Sequence, residues 1–137
     1  MIKADPLRLK QILINLLSNA VKFTDKGSVV LSADYHHQTG FEFSVTDTGI
    51  GMTENEMQIA LQPFGQVESA FARNHDGTGL GLPIARHLAV LHGGTLDVSS
   101  TSGLGTRVRV IFPPHRALPS IAAGHTLRFA TNEALGL

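Results

Sequence analysis

The stretch DPLRLKQILINLLSNAVKFT, residues 5–24, decides the fold class of this 137-residue chain. Asp5 can accept hydrogen bonds from the free N–H groups of a helix, and Pro6 suits a first helical turn. After that proline there is no Gly and no further Pro up to Thr24. We therefore predict one long helix with one buried face, which ends at the turn residues 25–27. The apolar residues at helical spacing are Leu9, Ile12, Leu13, Leu16, Ala20 and Phe23.

Four later stretches are predicted to form β-strands. In the most regular one, Phe41, Phe43 and Val45 alternate with polar residues, so one side of the strand is apolar. Short loops at 36–40 and 101–105 join the strands into two hairpins. The predicted strands are Ser28–Tyr35, Phe41–Asp47, Thr95–Ser100 and Thr106–Phe112.

Two further helices complete the pattern. Thr53 and Glu56 match a capping box that starts a short helix running to about Leu61. A second long helix is predicted from Leu80 to His92, because Gly93 and Gly94 directly after it are typical of a helix end. The order α-β-β-α-α-β-β predicts an α+β fold, a two-layer α/β sandwich with the helices packed on one face of a mostly antiparallel, mixed sheet.

Two segments have no clear period. Residues 62–79 form a long stretch of a kind that is usually functional or disordered inside a compact domain. Residues 115–137 are predicted to be a linker or disordered tail, so the domain itself is assigned to residues 1–114.

The composition restricts the class of protein. With 11 basic and 11 acidic side chains, the chain lacks the basic excess typical of nucleic-acid binding. It has no cysteine, which excludes disulfides and thiolate metal sites and suits a reducing compartment. No apolar run approaches the roughly 18–20 residues of a membrane span, and the N-terminus does not resemble a signal peptide. We expect a cytoplasmic domain without direct membrane contact.

Three polar residues follow one line of the first helix. Asn15, Asn19 and Lys22 are spaced i, i+4 and i+7, which places them within an arc of about 60° beside the apolar stripe. Amide oxygens can coordinate a cation, and an ammonium can neutralise phosphate oxygens. An ordinary solvated helix edge would show the same residues.

A carboxylate and two glycines follow the second predicted strand, in Asp47-Thr48-Gly49-Ile50-Gly51. The carboxylate can accept a hydrogen bond from an exocyclic amine, and the glycines allow a flat ring to lie near the backbone. A plain strand-to-loop turn is the alternative, because Asp and Gly are common turn residues.

A glycine-rich run, Gly77-Thr78-Gly79-Leu80-Gly81-Leu82, leads into the second long helix. Glycines there leave backbone N–H groups open to an anion such as phosphate. The spacing is not that of a Rossmann or P-loop motif, and a flexible hinge is the alternative. Together the three features have the composition of a nucleotide pocket.

The order of these motifs resembles the catalytic, ATP-binding domain of sensor histidine kinases. That domain has the Bergerat fold and belongs to the superfamily shared with gyrase and mismatch-repair ATPases. Residues 9–24 resemble the N box, 47–52 the G1 box, 62–64 the F box and 77–82 the G2 box, and 103–106 match the final glycine-threonine signature. The five motifs occur in the family's order between residues 5 and 114.

The resemblance implies bound ATP and Mg²⁺. Asn15 would hold the metal ion, Asp47 would bind the adenine amino group, and residues 65–76 would form a lid. Catalytic roles are implied for Asn15 and Lys22. The nucleotide-binding residues that the resemblance implies are Asn15, Asn19, Lys22, Asp47, Gly49, Gly51, Arg73, Gly77, Thr78, Gly79, Leu80, Gly81 and Thr106.

Asn15 also bears on the reaction that we expect. Gyrase-like relatives carry a water-activating Glu at this position, whereas an amide cannot accept a proton at neutral pH. The resemblance therefore implies a protein-histidine kinase and not an ATPase. An ATP-binding regulatory module and a serine-directed kinase of the same superfamily are the alternatives.

The phosphoacceptor histidine is expected on a separate dimerisation and phosphotransfer domain, with a response regulator downstream. Of the seven histidines, only His75 precedes an acidic residue, and it lies in the predicted lid. The family has a further strand before Asp5, so we expect this chain to lack that edge strand and to leave a sheet edge open.

Overall fold

A computed structural model describes residues 5–62 and 81–114, together with the backbone of residues 125–129. These residues form three helices and five strands. In chain order the elements are α1 (Pro6–Lys22), β1 (Val29–His36), β2 (Gly40–Asp47), α2 (Glu54–Ala60), α3 (Gly81–Leu91), β3 (Thr95–Thr101), β4 (Gly105–Phe112) and β5 (His125–Phe129).

Helix α1 has the cap and the buried face that its sequence predicts. The Asp5 carboxylate accepts hydrogen bonds from the backbone N–H groups of Leu7 at 3.0 Å and Arg8 at 3.4 Å. The helix ends at Lys22, slightly before the predicted end. Its fully buried residues are Ile12, Leu16 and Ala20.

The two other helices also start and stop close to the predicted positions. Thr53 and Glu56 form the predicted capping box at the start of α2, with both reciprocal hydrogen bonds at 3.3 Å. Helix α3 is followed by Gly93, whose φ of +76° suits a residue without a Cβ.

The strands form one sheet in the order β3-β4-β2-β1-β5. All four pairings among the described strands are antiparallel, so the predicted α+β sandwich is confirmed, but the described strands include no parallel pair. Helices α1 and α3 contact each other and pack against one face of the sheet. The buried hydrophobic core between the two layers contains Ile12, Leu16, Ala20, Val29, Val45, Leu82, Ala85, Leu88, Ala89, Val110 and Phe112.

The other face of the sheet carries charged side chains. Arg107 of β4 lies 3.0 Å from Glu42 of β2, and Arg109 lies 3.2 Å from Asp97 of β3. These partly exposed ion pairs are worth little to stability, but they show which face is turned to solvent.

Strand β5 departs from the sequence-based expectation. Residues 115–137 are predicted as a linker or tail, whereas His125–Phe129 pair antiparallel with β1, with Leu31 opposite Leu127. The exposed backbone of β1 offers hydrogen bonds to any strand that reaches it, so a segment without strong periodicity can be recruited. The outer edge of β1 is therefore covered.

None of the helices in the described ranges is long and apolar enough to cross a bilayer.

Candidate functional site

Three polar side chains form a row across the sheet, on the face that the helices cover. In the strand register, Asp47 of β2 lies opposite Thr106 of β4, which lies opposite Ser100 of β3. They share the parity of Val45 and Val110, which are buried in the core, so all three point to the helix side. We call Asp47, Thr106 and Ser100 the polar row.

The Asp47 carboxylate has one oxygen in use and one open. Oδ1 accepts hydrogen bonds from the backbone N–H groups of Gly49 at 2.9 Å and Thr106 at 3.2 Å. Oδ2 accepts no hydrogen bond from any residue that the structure describes. The residue is only 9% exposed, and burial raises the pKa of its carboxyl, against the lowering effect of the two backbone hydrogen bonds. Asp47 thus presents a largely desolvated acceptor.

The loop after Asp47 is held on both sides by backbone contacts. Ile50 donates its N–H to the carbonyl of Phe23, at the end of α1, at 3.3 Å. On the other side, the Gly103 N–H donates to the carbonyl of Ile50 at 2.7 Å. The loop is therefore fixed between the end of α1 and the β3–β4 turn.

The two glycines of this loop make room for the protein's own backbone. A Cβ added at Gly49 would collide with the carbonyl oxygen of Phe23. A Cβ at Gly51, where φ is +65°, would collide with that of Thr101. The sequence suggests that these glycines leave space for a flat ligand. Their packing supplies a second reason for Gly at both positions, and their contact with a ligand stays a prediction.

The polar line of α1 lies beside the start of α3. Asn15, Asn19 and Lys22 are all partly exposed. A methyl group built on Gly81 would come within 3.7 Å of both side-chain polar atoms of Asn19, so the structure brings these two predicted site residues together. The Lys22 ammonium lies 5.8 Å from the centre of the Phe23 ring.

The remaining predicted residues of the glycine-rich run and the lid lie outside the described residues. These are Arg73, Gly77, Thr78, Gly79 and Leu80. Within the described ranges, no group of three or more His, Cys, Asp or Glu side chains is placed to hold a metal ion. A cation at this site would instead take amide oxygens from α1, which suit a hard ion such as Mg²⁺.

Ser100 is not among the site residues that the sequence predicts, yet it makes the most hydrogen bonds in the polar row. Its Oγ lies 2.7 Å from the N–H of Met52, 3.0 Å from the carbonyl of Gly105 and 2.8 Å from Thr106 Oγ1. The only sequence signal is that Ser100 and Thr106 flank the β3–β4 turn, so that a hairpin would place them opposite each other.

Comparison with known proteins identifies the family of the chain. Residues 4–116 match the family described as histidine kinase-, DNA gyrase B- and HSP90-like ATPases. The chain belongs to this family. Over 134 residues it is 41% identical to the circadian input-output histidine kinase CikA of Synechococcus elongatus, covering 91% of this chain and 18% of CikA.

Two solved structures of histidine kinases share the fold. Full-length ShkA, crystallised in complex with AMPPNP, is 36% identical with a TM-score of 0.72, over 88% of this chain and 24% of ShkA. The catalytic domain of histidine kinase ThkA is 28% identical with a TM-score of 0.67, over 81% of this chain and 70% of that one. The chain thus spans a small part of the full-length relatives and most of an isolated catalytic domain.

Proposed function

We propose that this chain is the ATP-binding catalytic domain of a sensor histidine kinase. It positions Mg²⁺-ATP for transfer of the γ-phosphate to a histidine on a separate domain. Family membership and the kinases among its relatives support the proposal. The observation that carries it is the open, desolvated oxygen of Asp47 at the end of the polar row.

Asp47 recognises the purine. The 6-amino group of adenine donates a hydrogen bond, whereas guanine has a carbonyl at the same position. Asp47 Oδ2 accepts a hydrogen bond from the amino group of adenine. With guanine, the same oxygen faces a carbonyl, and two acceptors opposite each other both stay without a hydrogen bond. The site therefore selects ATP over GTP, and the base lies beside the loop that contains Gly49 and Gly51.

The polar line of α1 receives the triphosphate. Asn15 holds Mg²⁺ through its amide oxygen, and Asn19 and Lys22 contact the phosphates. Gly81, beside Asn19 at the start of α3, is the described end of the glycine-rich run that encloses the phosphates. When bound, Mg²⁺ neutralises the charge on the phosphate oxygens.

The amide of Asn15 decides between transfer to water and transfer to a histidine. An amide does not accept a proton at neutral pH, so it cannot activate water as a carboxylate does. The bound γ-phosphate is then attacked by an imidazole nitrogen, which forms a P–N bond as the bond to the bridging oxygen breaks and ADP leaves. Catalysis rests on the alignment of the reacting groups and on positive charge, to which the Lys22 ammonium contributes.

The proposed phosphate transfer requires two protein partners. The acceptor histidine belongs to the parent protein's dimerisation and phosphotransfer domain, and a response regulator receives the phosphate from it. Among the described histidines, His92 is engaged with the end of α3, since its Nδ1 lies 2.8 Å from the Leu88 carbonyl. No nucleic acid takes part, and the domain works in the cytoplasm, the reducing compartment that its lack of cysteine suits.

Titration of the chain with ATP, ADP and GTP, with and without Mg²⁺, tests the nucleotide specificity. Calorimetry is expected to show ATP and ADP binding, weak GTP binding and an effect of Mg²⁺ on the affinity for ATP.

A second experiment tests phosphate transfer, in which the chain is mixed with a separate acceptor-helix domain and Mg²⁺-ATP. Acid-labile, base-stable phosphate on that domain supports the kinase; binding without transfer indicates a regulatory module, and acid-stable phosphoserine indicates a serine-directed kinase.

A further inference from the structure

The hydroxyl group of Ser100 has every hydrogen-bonding position occupied. It accepts from the Met52 N–H at 2.7 Å. It also lies 3.0 Å from the carbonyl of Gly105, which can only accept, so the single Ser100 hydrogen goes to that carbonyl. The remaining contact, 2.8 Å to Thr106 Oγ1, then requires Thr106 to be the donor.

This direction determines what Thr106 offers to a ligand. A hydroxyl carries one hydrogen, and that of Thr106 is given to Ser100. Thr106 Oγ1 therefore has only lone pairs left, and its neighbour in the polar row, Asp47 Oδ2, is also an acceptor. The side chains of the polar row consequently present acceptors alone to whatever binds there.

We propose that Ser100 is a positioning residue that orients the Thr106 hydroxyl as an acceptor and so sharpens selection for a 6-aminopurine. The inference rests on the proposed function, that Asp47 Oδ2 binds the amino group of ATP. One amino hydrogen goes to Asp47, and Thr106 accepts directly from the other. A 6-oxopurine such as inosine brings a carbonyl to the same place and meets two acceptors.

Ser100 also acts on the site through its hydrogen bond with the Met52 N–H. That residue ends the loop of Asp47 and immediately precedes Thr53, the cap of α2. The Met52 bond helps to hold the loop, so loss of the Ser100 hydroxyl weakens binding of every nucleotide somewhat. Only its action on Thr106 changes the discrimination between nucleotides, and this difference separates a positioning role from a merely structural one.

Calorimetric titration of the 137-residue chain with Mg²⁺-ATP and Mg²⁺-ITP tests the proposal. In Ser100→Ala, Thr106 is free to rotate its hydrogen toward a 6-oxo group, and the ratio of ATP to ITP affinity is expected to fall about five-fold, as for one neutral hydrogen bond. Ser100→Thr, which keeps the hydroxyl, is expected to retain most of the wild-type ratio. Ser99→Ala is the matched control, because Ser99 is exposed and belongs to the opposite face of β3.

A double-mutant cycle assigns the effect to Thr106. Thr106→Val alone is expected to lower the ATP-to-ITP ratio, and adding Ser100→Ala to it is expected to lower the ratio no further. An unchanged ratio in Ser100→Ala, or in Thr106→Val should the first variant not fold, overturns the proposal, as does an additive double mutant. A wild-type chain that does not prefer ATP to ITP overturns the proposed function itself.

Discussion

Replacing Asp47 by Asn changes the candidate base site by one atom. Asp47 Oδ1 accepts two backbone N–H groups, so the oxygen of an Asn side chain is expected to keep that place. Its NH₂ group then takes the position of the open Oδ2 and points a donor at the 6-amino group of adenine. The substitution therefore removes a charged acceptor and adds a repelling donor while the loop contacts remain.

The expected loss in ATP affinity is large. A hydrogen bond to a charged group contributes about 1.5–3 kcal/mol, and an unsatisfied buried donor adds to the loss. We expect a total of about 2–4 kcal/mol, roughly 30- to 1,000-fold in Kd. Binding of ITP is expected to weaken far less, because the new NH₂ group can donate to its 6-oxo oxygen.

Stability is expected to move the other way. Burial raises the pKa of Asp47, so the charged carboxyl lowers the free energy of unfolding at neutral pH. That penalty disappears as the pH falls through the raised pKa toward the ordinary aspartate value. Asp47→Asn is thus expected to be at least as stable as wild type at neutral pH, with a difference that shrinks on acidification. ATP affinity of the wild type is expected to fall over the same acidic range.

Calorimetric titration with ATP and ITP, together with urea denaturation at several pH values, provides the measurements. Asp34→Asn is a matched control, because it makes the same change of charge on the sheet face away from the helices. If Asp47→Asn binds ATP with unchanged Kd, the assignment of adenine recognition to this carboxylate is refuted. A large loss of stability at neutral pH would contradict the account of its burial.

Three further changes test other parts of the structure. Asn15→Ala is expected to reduce Mg²⁺-dependent phosphate transfer more than Mg²⁺-free ADP binding, and equal losses in the two assays would contradict its proposed role at the metal. Gly105→Ala places a Cβ against the backbone of β2 at a φ of +128° and is expected to cost at least about 2 kcal/mol in urea denaturation, against about 1 kcal/mol for Gly103→Ala, which has open space at a φ of +83°. His92→Ala removes the side-chain contact with the end of α3 and is expected to cost about 1 kcal/mol in thermal denaturation, whereas an equal loss for the exposed His87→Ala would argue against that contact.

Local features of the fold can be predicted from the sequence because they depend on neighbours along the chain. The Asp5 and Thr53 caps, the buried stripe of α1 and the alternation of β2 each involve residues a few positions apart. The motif order likewise leads to the family and to Asp47 as the candidate base-recognising residue. Strand β5 escapes prediction because its place depends on the backbone edge that β1 offers, far away in the sequence.

Within residues 5–62 and 81–114, the amino-acid sequence alone determines which segments are helical or extended. It also determines which residue types are available for a nucleotide site. Tertiary structure alone decides that Asp47 of β2 joins the Ser100–Thr106 pair in one row, and that Gly49 and Gly51 face the backbones of α1 and β3. The physical reason is that hydrogen-bond direction and steric fit between distant segments depend on strand register and burial. Strand register and burial cannot be derived from the spacing of residues along a single segment.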